Sequence, residues 1–182
     1  MTATSTTPPA PAADDRQAAD ALEGAFARYQ DELLGTLFYL VGNLEDARDT
    51  LQETFLKCWR HRDGIGEIEN IKAWIFRIAL NTGRDLRGAA WRRLRTPMTG
   101  DEMMLATNDP SPQANLEQKE QLARVRIALG DLRHEEQEVF LLRQNAQMTY
   151  DEIAQTVGVP LGTVKTRMRM ALGKLREALV VQ

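Results

Sequence analysis

This chain has little of what sites built on thiols and imidazoles require: one cysteine and two histidines among 182 residues. A lone Cys58 excludes an internal disulfide, and with no paired cysteine or set of histidines around it, a buried small hydrophobe is its expected role rather than a reactive thiol. His61 and His134 are far apart in sequence, so neither a histidine-based metal centre nor a catalytic base is supported. The expectation is no enzyme, no metal and no cofactor. No run of 18 apolar residues exists, and the N-terminus lacks the basic start and apolar centre of a secretory signal. Direct membrane insertion is therefore not expected, and the expected place is the cytoplasm. Convincing period-two alternation is also missing, which points away from strands and towards an all-α fold.

What is present is helical periodicity, broken twice. Residues 1–18, rich in Thr, Pro and Ala, read as a disordered tail. Leu22, Phe26, Leu33, Leu37 and Val41 mark a first long helix that ends near Gly42. Asn43 is placed to cap a second helix with Ala47, Leu51, Phe55 and Cys58 as its inner stripe. Gly64 and Gly66 interrupt the pattern, and a third helix runs from Ile71 to about Leu94. These three helices are expected to form a bundle over residues 19–95. Periodicity is lost from Thr96 to Ala114, where three prolines mark a flexible linker, and a second helical domain follows over 115–182. The expected fold is thus two helical domains joined by a flexible linker.

The most specific local signal lies between Thr149 and Arg169. Thr149 and Glu152 have the spacing of a capping box that starts a helix, and Ile153, Ala154 and Val157 give that helix an apolar face. Gly158 suits the left-handed residue after a helix end, and Pro160 suits the start of the next helix. The result is a helix-turn-helix. On its second helix Val164, Met168, Leu172 and Leu175 are expected to share a core-facing stripe, leaving Lys165, Thr166, Arg169 and Met170 to project the other way. An isolated basic helix is often only a solvated face. Here cap, turn and split faces coincide, as a DNA-reading helix requires.

Charge distribution adds a second contact. The chain as a whole has a net charge of −3, yet Ile71 to Arg95 holds seven basic residues and one acid, and Leu161 to Glu177 holds five basic residues and one acid. The remainder is strongly acidic and would repel nucleic acid except at those two blocks.

Three motifs, in this order, resemble those of bacterial RNA polymerase sigma factors of the extracytoplasmic-function (ECF) type, within the sigma-70 family, over about Ala21 to Leu179. The first, Asp46 to Arg60 (DARDTLQETFLKCWR), is similar to the segment that grips the clamp coiled coil of core RNA polymerase, and the resemblance implies that Asp49, Gln52 and Glu53 make that contact. An ordinary amphipathic helix is the competing account of this motif. The second, Ile71 to Arg87 (IKAWIFRIALNTGRDLR), resembles the −10 promoter segment. By that resemblance Lys72, Trp74, Arg77, Asn81, Arg84 and Arg87 line the DNA, and the preceding Arg62 to Asn70 loop pockets a flipped base. Trp74 is equally placed for the core, in register with Ile71 and Ile78.

The third motif joins Leu132 to Arg143 to the helix-turn-helix and resembles the domain that binds the −35 element and the polymerase flap tip. Base reading then falls to Lys165, Thr166, Arg169 and Met170, with Thr163 and Arg167 placed for phosphate. Arg143 fits either a phosphate contact or a solvated helix end. The implied function is transcription initiation: the factor binds core polymerase, recognises both promoter elements and assists melting. A cognate anti-sigma factor is implied as a further partner. A free-standing helix-turn-helix regulator is the rival reading, but it has no use for the first motif or for a second basic block.

Overall fold

The computed structural model describes the backbone of residues 13–93 and 112–180 and the side chains of 16–87 and 121–179. The described residues form α1 (Ala13–Val41), α2 (Leu44–Arg60), a 3-10 helix (Arg62–Glu67), α3 (Ile71–Arg93), α4 (Pro112–Gly130), α5 (His134–Gln144), α6 (Tyr150–Val157) and α7 (Leu161–Val180), with no strand among them. The all-α expectation holds. Two boundaries differ from expectation. Helix α1 already includes residues 13–18, where alanines favour helix; the rest of the expected tail lies outside the described residues. Helix α4 starts at Pro112, inside the expected linker, because proline needs no N–H partner in a first turn; residues 96–111 lie outside the described ones.

Each break in the N-terminal helices has a chemical cause. Gly42 adopts φ 98, open to glycine at little cost, and its N–H closes α1 on the Phe38 carbonyl at 2.8 Å. Asn43 caps α2 by accepting the Asp46 N–H at 2.8 Å. Asn70 does the same for α3, accepting the Ala73 N–H at 2.9 Å. The glycines at 64 and 66 do not leave an open loop. They lie in the 3-10 helix, anchored by buried Ile65.

Helices α1, α2 and α3 pack as a bundle around Leu22, Leu33 and Leu37, Ala47 and Cys58, and Ile75, Phe76 and Leu80. Each fully buried Leu or Phe stabilises the fold by about 1.5–3 kcal/mol. The inner face of α2 differs in detail from the expected stripe: Ala47 and Cys58 are buried, but Leu51 and Phe55 are only half-buried and Thr50 and Thr54 take the innermost places. Both hydroxyls donate to the carbonyl one turn back, at 2.6 and 2.7 Å, which satisfies them without water. Phe55 instead lies between Phe26, which it meets edge-to-face, and Trp59, at ring distances of 5.0 and 5.8 Å.

Helices α4, α5 and α7 enclose a smaller core of Ala128, Leu129, Leu132, Leu141, Ala171 and Leu175. The two helical groups do not stand apart. Val139, Leu142, Met148, Ile153 and Val164 belong to the same connected core as the first bundle, and α3 lies against α6 while α1 meets α5. The Gln137 side-chain amide donates to the Tyr39 carbonyl at 3.0 Å, and Arg126 stacks over Phe38 at 5.1 Å.

Helices α1 and α3 pack tightly at Gly83, where an added Cβ would stand 2.6 Å from Leu40 Cδ2 and 3.5 Å from Leu37 Cδ2. Gly83→Val is expected to destabilise the protein by about 2–3 kcal/mol through overpacking, read as a melting temperature lower by roughly 5–10 °C. An unchanged melting temperature would mean that these helices part freely.

Candidate nucleic-acid and polymerase interfaces

The helix-turn-helix forms as its local chemistry requires. Thr149 accepts the Glu152 N–H at 3.2 Å while the Glu152 carboxylate accepts the Thr149 N–H at 2.8 Å, closing the capping box. Gly158 takes φ 70, and its N–H reaches the Ala154 carbonyl at 2.9 Å. Val164, Met168 and Leu175 are buried as expected, but Leu172 is 44% exposed and Ala171 holds the fourth core position. At about 100° per residue, position 171 falls within about 20° of Val164 around the helix and position 172 about 80° away.

Lys165, Thr166, Arg169 and Met170 are all exposed, while Thr163 and Arg167 are half-buried. One concavity is lined by Tyr150, Lys165, Arg169, Leu172 and Arg176, so three cations share it. Tyr150 was not anticipated, and Arg176 was counted in the basic block without being assigned to the site. Arg176 was legible as the end of an i, i+4, i+7, i+11 stripe from Lys165. Arg143 is tied into its own domain, donating to the Met148 carbonyl at 2.7 Å and stacking on Tyr150 at 5.4 Å. Across α5 and α7, buried Glu136 accepts from Lys174 at 2.7 Å.

The row on α3 has a different environment. Arg84 makes a two-pronged ion pair with Glu138 of α5, Nε donating to Oε1 at 2.6 Å and Nη2 to Oε2 at 2.5 Å. Arg87 donates to the Gln137 side-chain oxygen at 3.1 Å. Arg77 donates to the Thr156 carbonyl at 3.2 Å and to the Gln155 carbonyl, both at the C-terminal end of α6. Asn81 remains exposed and accepts from Arg84 at 3.0 Å. Lys72 is held by Glu32 at 2.7 Å and lies over the Tyr29 ring at 4.8 Å, its side chain only 17% exposed. Trp74 is half-buried against the core, on the side that its register with Ile71 and Ile78 allows. The structure thus gathers Arg77, Asn81, Arg84 and Arg87 on one face but turns the three arginines towards α5 and α6. In the expected base-pocketing segment, Arg62 stacks on Trp59 at 4.8 Å and donates to its carbonyl at 3.0 Å.

On α2 the outer face carries exposed Asp49, Gln52 and Glu53, with Glu53 paired to Lys57 at 3.0 Å. Leu56, 45% exposed, continues the same stripe. It was missed because a leucine one turn beyond polar residues reads as core.

Electrostatics follow these contacts. The hydrogen bond to Glu138 raises Arg84 above its already basic range, whereas burial lowers Arg87. Burial pushes the Cys58 thiol up to about 12, so it is inert as a thiolate at neutral pH. Burial alone would raise Glu136, but the Lys174 and Arg133 hydrogen bonds carry it below the usual glutamate range. The Thr149 N–H lowers Glu152, with Asn70 and Lys72 of the first bundle adding to the effect.

The structure thus presents an open helix-turn-helix cleft, a separate arginine row on α3 and an exposed polar stripe on α2. Family comparison agrees region by region: sigma-70 region 2 matches residues 25–94 and sigma-70 region 4 matches residues 128–177. The RNA polymerase sigma factor CnrH of Cupriavidus metallidurans is 32% identical over 138 residues, 71% of either chain. The RNA polymerase sigma-E factor of Streptomyces avermitilis is 31% identical over 150 residues, 82% of this chain and 80% of its own. The structure of CnrH in complex with the cytosolic domain of CnrY matches with a TM-score of 0.67 at 28% identity, covering 93% of this chain and 96% of that one. The sigma factor RpoE from Bartonella quintana, solved in complex with the anti-sigma factor NepR, shares the fold with a TM-score of 0.73 at 22% identity, over 90% of this chain and 99% of that one.

The chain belongs to the ECF group of bacterial RNA polymerase sigma factors, within the sigma-70 family. It is accordingly a transcription initiation factor and not an enzyme or a free-standing regulator, and its regions act on RNA polymerase and promoter DNA.

Because Glu136 and Glu152 lie below their ordinary value of 4.5, their contribution to stability is complete above that pH and is lost as pH falls through each lowered value. The double variant Glu136→Gln, Glu152→Gln should melt lower than the parent at pH 7, and the two melting curves should converge in acid. A gap that stays constant down to pH 3 would contradict this linkage.

Proposed function

We propose that the two cationic surfaces divide the promoter between them. The exposed face of α7, with Lys165, Thr166, Arg169 and Met170 reading bases and Thr163 and Arg167 meeting phosphate, takes the −35 element. The α3 row of Lys72, Trp74, Arg77, Asn81, Arg84 and Arg87 takes the −10 element, with residues 62–70 receiving a flipped base. Asp49, Gln52 and Glu53 dock on the clamp coiled coil of core polymerase, and the 115–182 domain meets the flap tip. One observation carries the −35 assignment: Val164, Met168, Ala171 and Leu175 anchor α7 while Lys165, Arg169 and Arg176 stand together in an open concavity. Units of 19–95 and 115–182, separated by a 96–114 linker, fit these roles.

Two further elements belong to the same reading. An anti-sigma factor is the expected inhibitor, supported by the complexes with CnrY and NepR in which CnrH and RpoE were solved. The cytoplasm is the expected place of action, since no helix among the described residues is long and apolar enough to cross a membrane and the polymerase partner works there.

Transcription reconstituted with purified core polymerase and a promoter library tests the scheme. Arg169→Ala should lower initiation about tenfold at −35-dependent promoters, the scale of losing one base contact of roughly 1–3 kcal/mol, while leaving polymerase binding intact. Asp49→Ala with Glu53→Ala should do the reverse, weakening polymerase binding at every promoter. Charge reversal of Arg84, Arg87, Lys165 and Arg169 together should abolish start-site selection; unchanged selection would refute the two-surface scheme.

A further inference from the structure

We infer that the concavity beside α7 is a seat for the sugar–phosphate backbone, in which Arg176 and the Tyr150 hydroxyl hold one DNA phosphate and Leu172 supports the adjoining deoxyribose. The inference rests on the assignment of α7 to the −35 element and adds to it a contact that reads no base. Lys165, Arg169 and Arg176 line the concavity together with Tyr150 and Leu172. Among the described residues none of these three cations is within ion-pair distance of a carboxylate, whereas Lys174 of the same helix is paired with Glu136 at 2.7 Å. Like charges one turn apart on a helix repel each other, so an unpaired cationic stripe is relieved by an anion laid along it.

Position along the helix decides which part of the DNA each cation meets. Base edges are reached by the N-terminal residues of a recognition helix, and Arg176 lies three turns beyond Lys165, a rise of about 16 Å at roughly 1.5 Å per residue. That is several times the ~3.4 Å between successive base pairs, so Arg176 stands where the helix has left the base edges for the backbone. Tyr150 opens α6, the helix that crosses the backbone in this motif, and Arg143 stacked on its ring at 5.4 Å steadies it. A guanidinium and a phenol O–H together supply the donors that a phosphate oxygen accepts. Leu172 is 44% exposed although its size favours the core, and it sits on the stripe between Arg169 and Arg176. An apolar side chain placed among cations suits the carbon face of a sugar whose phosphate those cations hold.

The test uses holoenzyme assembled from core polymerase and the full chain, on a promoter whose start it selects, with the −35 phosphates replaced one at a time by uncharged methylphosphonates. One replacement should weaken promoter binding about fivefold with the parent chain, and the same replacement should have no effect with Arg176→Ala. Arg176→Ala itself should weaken binding about fivefold at every single-base variant of the −35 element and lower the slope of log affinity against log salt by about one. Arg176→Lys should restore the slope. Tyr150→Phe should weaken binding about twofold and shrink the penalty at that one phosphate. Leu172→Ala should weaken binding about threefold with the slope unchanged, as loss of an apolar contact requires. A methylphosphonate penalty that persists in Arg176→Ala, an unchanged salt slope, or a changed base preference in any of these variants would overturn the inference and leave the −35 assignment standing. Indifference of the parent holoenzyme to −35 base changes would instead overturn that assignment. Weaker binding of Arg176→Ala to core polymerase without DNA would give the concavity to a protein partner and overturn the backbone seat.

Discussion

The ion pair between Arg84 and Glu138 is the contact on which the arrangement of the two helical groups turns. Removing a carboxylate from water costs several kcal/mol even after relaxation, so Glu138 is tolerated at 2% exposure only while a well-aligned cation covers it. The two-pronged geometry supplies that cation, and the neighbouring Gln137 completes the seam by joining Arg87 on one side and the Tyr39 carbonyl on the other. Apolar contacts through Val139, Leu142 and Met148 set how closely the groups approach. The polar contacts set which residues of α3 lie in the seam.

This makes the two cationic surfaces unequal. On α7 the cationic face is preorganised and open. Its back is locked into the core, its approach is fixed by the capping box and Gly158, and the buried Glu136–Lys174 pair ties it to α5. On α3 the cationic face is equally regular but already engaged. The α7 surface is thus finished within its own domain, while the state of the α3 surface depends on how the two helical groups are placed.

Much of this was legible in local pattern. The capping box at Thr149, the glycine after α6 and the Asn43 cap depend on residues within four positions of one another, and each forms as its spacing implies. Errors arose where a choice between adjacent residues depended on geometry. Leu172 was placed in the stripe by its spacing from Met168 and Leu175, yet helix rotation places Ala171 inwards. Thr50 and Thr54 looked polar in sequence, but a hydroxyl bonded to the preceding turn packs like a small aliphatic group. Leu56 was not singled out, and Arg176 was counted in the basic block but not assigned to the α7 face that it shares with Lys165 and Arg169.

Helix positions, cap chemistry, the segregation of two basic blocks from an acidic remainder and the family motifs follow from the order of residues alone, because each rests on periodicity or on neighbours within a turn or two. Sequence was equally sufficient to place Cys58 inside and to predict that Lys165, Thr166, Arg169 and Met170 lie on the exposed face of α7. Tertiary structure decided which oxygen atoms meet Arg77, Arg84 and Arg87, since those partners lie 50 to 79 positions away and nothing local selects them. It also decided that a carboxylate at 138, ordinarily a surface group, is buried. A charge's neighbours across an interface depend on how two finished surfaces dock, and that is set by shape and by all their contacts at once.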